Sequence, residues 1–149
     1  MKRKYNKTEG NQFYQSTLRL LYRFTDKSVI SKWGIVNMYY DQPGVRINKK
    51  LVYMPSVVFD IYSESFKGFV YLSYHRNTDL FHIYTLDGNG NLVERYSCIM
   101  NYEMGDVLNM VITGNRVDII ERHLAQRRKL IGPDENYDLK FLVGRSLNL

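Results

Sequence analysis

The spacing of hydrophobic positions changes twice along this chain. Between residues 12 and 27, Phe13, Thr17, Leu20, Leu21 and Phe24 recur at helical spacing. Arg19, Arg23 and Lys27 follow one another every fourth position on the flank. The pattern predicts an amphipathic helix with a basic stripe. A strand reading alternates Leu18, Leu20, Tyr22 and Phe24 against Arg19 and Arg23, but the length of the segment favours the helix.

From Trp33 to about Met100 the period becomes two, and β-branched and aromatic residues dominate. Strands are expected over 35–40, 51–62, 68–76, 79–86 and 92–99. Gln42-Pro43-Gly44 marks a turn between the first two. Pro55 cannot donate to a ladder, so the second strand is broken there or lies at a sheet edge. Asp87-Gly88-Asn89-Gly90 supplies residues that tolerate the positive φ of a tight hairpin.

Residues 103–113 fit either helix or strand. Beyond them, Asn115 caps a helix whose apolar stripe is Val117, Ile120, Leu124 and Ile131, ending at Gly132-Pro133, and a last short strand is expected at 139–143. The whole reads as one α+β domain over residues 12–149: a mainly antiparallel sheet of about five strands, an N-terminal basic amphipathic helix, and a C-terminal helix packed on one face. Residues 1–11 read as a flexible basic arm.

Composition adds constraints. At 149 residues the chain matches one ordinary domain. The single cysteine, Cys98, excludes an internal disulfide framework and any multi-cysteine zinc site, and it points to a reducing, cytoplasmic setting. No secretory leader is recognisable behind Met1-Lys2-Arg3-Lys4, and no apolar run is long enough to span a bilayer. The 13 tyrosines accompany many Asn, Ile and Lys, a profile that AT-rich codons alone produce, as in a phage or a mobile element.

Charge is the most uneven property. Residues 1–50 hold 11 Lys/Arg against 3 Asp/Glu, whereas residues 51–149 hold 10 against 12, so the net +6 divides into +8 and −2. Arg3, Lys4, Lys7, Arg19, Arg23, Lys27, Lys32, Arg46, Lys49 and Lys50 make a footprint suited to nucleic acid or to an acidic protein surface, depending on which of them share a side of the fold.

Candidate chemistry comes from the sheet. With a turn at Asn77-Thr78, Leu72 faces Ile83 and Tyr74 faces Phe81 on a greasy side. Tyr71, Ser73, His75, His82 and Tyr84 then share the other side, and an even-length turn near Gly88-Asn89-Gly90 would add Arg95 and Ser97. Three uses of that face are open. It could stack single-stranded bases on Tyr71 and Tyr84 while Arg95 and the arm meet phosphates. It could cleave RNA without metal, with His75 and His82 as acid and base and Arg95 stabilising the phosphorane. It could also be the half-solvated outer side of a sheet, or a side covered by another element.

No metal is expected, because His75, His82 and His123 lack ligand spacing and no carboxylate or cysteine cluster accompanies them. No cofactor fingerprint is present. Asp87 to Asn91 resembles the start of a calcium loop but has Leu92 where glycine is required. Residues 106–112, a turn at 113–115 and 116–129 have the outline of a helix-turn-helix, although arginines at a helix end also serve simply to complement its dipole.

The expected function is a small, non-enzymatic, intracellular nucleic-acid-binding protein. The alternatives are a phage or mobile-element structural or inhibitory module docking on an acidic protein, and a metal-independent ribonuclease. Self-association is left open.

Overall fold

The computed structural model describes residues 3–114. The helix and strand proposed beyond Asn115, and with them His123 and the second half of the helix-turn-helix, lie outside the described residues.

The first helix, α1 (Lys7–Phe24), begins five residues earlier than hydrophobic spacing alone places it. The cause is a capping box. Asn6 Oδ1 accepts from the Glu9 N–H at 2.8 Å, and Glu9 Oε1 accepts from the Asn6 N–H at 3.0 Å, so two orphan donors of the first turn are satisfied. Residues 7–11 are therefore helix, not arm. The residues before them are tied to the sheet, since the Tyr5 N–H donates to Gln42 Oε1 at 2.7 Å.

A single turn, α2 (Lys27–Ile30), leads to Trp33, which is fully buried. Five strands follow as one antiparallel sheet in the order β1-β4-β5-β6-β7: β1 (Ile35–Asp41), β4 (Ser56–Tyr62), β5 (Lys67–His75), β6 (Leu80–Leu86) and β7 (Leu92–Ile99). The expected long strand over 51–62 divides around Pro55. Its first part is β3 (Lys50–Tyr53), which pairs with an unforeseen strand, β2 (Gly44–Ile47), in a separate hairpin. Asn48 and Lys49 turn that hairpin with φ of 51° and 66°, the left-handed conformations that a tight two-residue turn needs. Residues 103–113 resolve as helix α3 (Met104–Thr113), with Met104, Val107, Leu108 and Ile112 buried at helical spacing. The architecture is α+β.

The sheet is covered on both faces, which explains why β4 reads as a continuous buried run and not as an alternation. On one face Val57, Phe59, Ile61, Val70, Leu72, Phe81 and Ile83 form the main core. Leu21 of α1 and Leu108 of α3 are buried in it, with Phe13, Tyr14 and Leu18 packed alongside. On the other face Met54, Val58, Tyr71 and Tyr84 form a smaller cluster beneath Val45, Ile47 and Val52 of the β2–β3 hairpin.

Candidate functional site

Strand register decides which side chains meet. The β5–β6 pairing sets Tyr71 opposite Tyr84, Leu72 opposite Ile83, Ser73 opposite His82 and Tyr74 opposite Phe81, as hydrophobic alternation predicts. The turn between them is longer than two residues, with Asp79 at a φ of 57°, but the register is the same.

The polar aromatic face thus exists, yet it is closed. Tyr71 keeps 9% of its surface and Tyr84 only 4%, because the β2–β3 hairpin lies over them. Neither ring is an exposed platform for bases. Burial pushes both phenols up, most strongly Tyr84, and the Tyr84 hydroxyl reaches Met54 Sδ at 3.7 Å. Ser73 and Ser56 pair through their hydroxyls at 2.6 Å in the same buried layer.

Arg95 does not join this face. The turn after Asp87 is held by Asp87, whose Oδ1 accepts from the Asn89 and Asn91 N–H groups at 2.9 Å, and Gly90 takes a φ of 81°. The pairing therefore sets Tyr84 opposite Glu94, and a bulge then brings Ile83 opposite Tyr96, leaving Arg95 as the extra residue. The Arg95 guanidinium donates to Thr85 Oγ1 at 2.8 Å, on the other side of the sheet from His82.

Glu94 takes the place expected for Arg95. Its Oε1 lies 3.2 Å from His82 Nδ1. His75 and His82, diagonal across β5 and β6, have ring centres 5.4 Å apart, and each residue retains only 9% of its surface. His75 Nδ1 meets Thr78 Oγ1 at 2.9 Å. Its imidazole is held below the ordinary value, first by burial and then by the neighbouring His82. An acid–base pair with an arginine over a phosphorane is not assembled, since Arg95 faces away and both imidazoles are covered.

The basic residues divide among three places. Arg19, Arg23 and Lys27 are exposed, and none forms an ion pair with a described residue. They belong to the helical layer, on the opposite side of the sheet from Tyr71 and Tyr84. Arg46, Lys49 and Lys50 are exposed on the hairpin, on the tyrosine side. Arg3 is engaged by Glu9 through two contacts at 2.6 and 3.0 Å, while Lys4 lies 4.4 Å over the Tyr53 ring and Arg76 4.7 Å over Tyr5. Lys7 is exposed in the first turn of α1.

Sequence reasoning missed a groove of about 510 Å³ beside the basic stripe. Phe13, Thr17 and Leu20 of α1 form one wall, with Leu80, Met100 and Tyr102 among the residues opposite, and Thr78, Asp79 and Asn101 add polar groups, one of them a carboxylate, at that side. Arg23 follows Leu20 at i+3, so the cations flank the groove along the same helix. The chain matches no family model, no curated relative and no solved structure. Among the described residues, no helix is long and apolar enough to cross a membrane.

Proposed function

We propose that this chain is a non-enzymatic docking module that receives an acidic, partly apolar segment of a partner protein along α1. The observation that carries the reading is a groove with Phe13, Leu20 and Met100 in its lining, on the same helix as the exposed cations Arg19 and Arg23, neither of which forms an ion pair with a described residue, although Arg23 lies 5.4 Å over the Phe24 ring. An apolar centre with a charged rim is the ordinary anatomy of a protein–protein interface. Nucleic acid is less well served, because the tyrosines that would stack bases are buried and the cations lie on both sides of the sheet.

A second reading, nucleic acid held by charge alone, draws support from the exposed Arg46, Lys49 and Lys50 at the hairpin. The two are separated by titrating a synthetic amphipathic helix that bears Glu on one side and Leu and Phe on the other. Docking along α1 predicts that Arg19→Glu/Arg23→Glu weakens binding at least about tenfold, in line with the loss of charge-assisted contacts. Met100→Asp, at a 38% exposed position in the groove, should weaken it independently. Equal affinity in all three proteins would remove the basis for this reading.

A further inference from the structure

The paired histidines beneath the sheet surface have a hydrogen-bonding pattern that points outward from the protein's own groups. Glu94, as a carboxylate, can only accept, so His82 Nδ1 carries the proton of that 3.2 Å contact. Nε2 of the same ring is then a lone-pair acceptor. It is buried and has no hydrogen-bond partner.

The same logic applies to His75. The Thr78 hydroxyl contacts both the His75 carbonyl oxygen at 3.3 Å and His75 Nδ1 at 2.9 Å; with its proton directed to the carbonyl, Oγ1 accepts from Nδ1–H. In that tautomer His75 Nε2 is also unprotonated in the neutral ring. Two imidazoles thus have Nδ1–H groups tied to oxygen acceptors, one a carboxylate, and Nε2 lone pairs in reserve. Outer-shell oxygen partners of this kind accompany almost every metal-ligating histidine, fixing its tautomer and raising its basicity.

The spacing agrees. A metal bound to both Nε2 atoms at about 2.0–2.1 Å and a near-tetrahedral angle holds the two ring centres about 5–5.5 Å apart. The observed separation is 5.4 Å. Among the described residues no third His, Cys, Asp or Glu completes a larger ligand group, so the protein's own contribution is the two imidazoles. Imidazole nitrogen suits a borderline divalent ion such as Zn²⁺, Cu²⁺ or Ni²⁺ better than Mg²⁺ or Ca²⁺. The turn at Asn77, Thr78 and Asp79, which follows His75, is exposed.

We propose that His75 and His82 form a two-histidine site for a divalent transition-metal ion, with Glu94 and Thr78 as the positioning residues behind them. The burial of His82 Nε2 without a partner is then the state that the ion relieves. This site is independent of the α1 groove and rests on none of the reasoning about the partner.

The test uses the full chain, with His123→Gln as the parent so that the third histidine cannot contribute, and Zn²⁺ and Cu²⁺ alone as probes. Imidazole nitrogen NMR should first show both rings as Nδ1–H tautomers. Zn²⁺ should then shift Nε2 of His75 and His82 together. By calorimetry Cu²⁺ should bind more tightly than Zn²⁺. Glu94→Gln should weaken Zn²⁺ binding roughly 10–100-fold, and His82→Gln should abolish it with the far-ultraviolet dichroism unchanged. Absence of a shift at saturating Zn²⁺ would overturn the proposal. So would Nε2–H tautomers, or binding that survives His75→Gln/His82→Gln. Because the tautomers are read in the unmutated rings, a variant that fails to fold does not shield the proposal.

Discussion

A β-carbon on Gly105 would stand 2.8 Å from Cβ of Thr25 and closer still to its hydroxyl, so the first turn of α3 rests directly against the C-cap of α1. Both residues are buried, and the contact fixes how the two helices sit over the sheet. Gly105→Ala is therefore an overpacking substitution, expected to destabilise by about 1–3 kcal/mol in urea unfolding. Thr25→Ala should recover part of that loss in the double variant, because it removes Oγ1, the nearest atom, together with Cγ2, while Cβ stays. Additive effects would show that the two residues are not coupled.

Trp33 is a second anchor. Its indole is fully buried against Phe59, and Nε1 donates to Asn109 Oδ1 at 2.9 Å. Asn109→Ala leaves that donor unpaired and should cost about 1–3 kcal/mol. Thermal unfolding followed by tryptophan fluorescence checks this, and an unchanged midpoint would contradict it.

The hairpin that closes the tyrosine face is open to a direct test. Val52 packs over Met54, Val58, Tyr71 and Tyr84 from β3. Val52→Asp places a carboxylate against that cluster and should lift the hairpin while leaving the main core on the other face intact. The expected signature is new binding of a hydrophobic dye with nearly unchanged far-ultraviolet dichroism. No dye binding in a folded variant would show that the hairpin is not what covers the face.

Stability should also depend on pH through His75. Burial, with His82 adding to it, lowers its pKa from the ordinary 6.5, so the unfolded chain takes up this proton first as pH falls. The contribution is fully present above about pH 6.5 and is lost progressively as pH drops through the lowered folded value. Urea midpoints measured from pH 8 to pH 5 should decline in the wild type, and the decline should be shallower in His75→Gln. An equal slope in the two proteins would exclude this residue as a cause.

Much of the fold is legible in the sequence because it depends on local rules. Alternation of Leu72, Tyr74, Phe81 and Ile83 against Ser73 and His82 is enough to set the β5–β6 register, and Pro55 is enough to break the run from Leu51. Other features were present but outweighed. Asn6 and Glu9 spell a capping box three residues apart, yet apolar spacing alone starts the helix later. Val45, Arg46 and Ile47 alternate as a strand, but Gln42-Pro43-Gly44 reads as a turn and hides them. Arg95 was misplaced because a turn stabilised by Asp87 and Gly90 differs by one residue from the two-residue turn assumed, and one residue reverses a strand's faces. The groove beside α1 could not be read at all, because Leu80 and Met100 reach Leu20 only through tertiary packing.

The proposed role of this chain's positive charge is to serve a protein-docking groove on α1 and not a nucleic-acid platform on the sheet. The most direct measurement is the anisotropy of labelled single-stranded DNA titrated with the protein between 50 and 200 mM salt, set beside the acidic amphipathic peptide under the same conditions. Three contributing cations, Arg19, Arg23 and Lys27, predict a slope of log K against log salt of about −2. DNA binding should then be lost by the upper end of the range while the peptide, held partly by apolar contact, remains bound. DNA held more tightly than the peptide throughout, with a slope of about −5 or steeper, would contradict the claim.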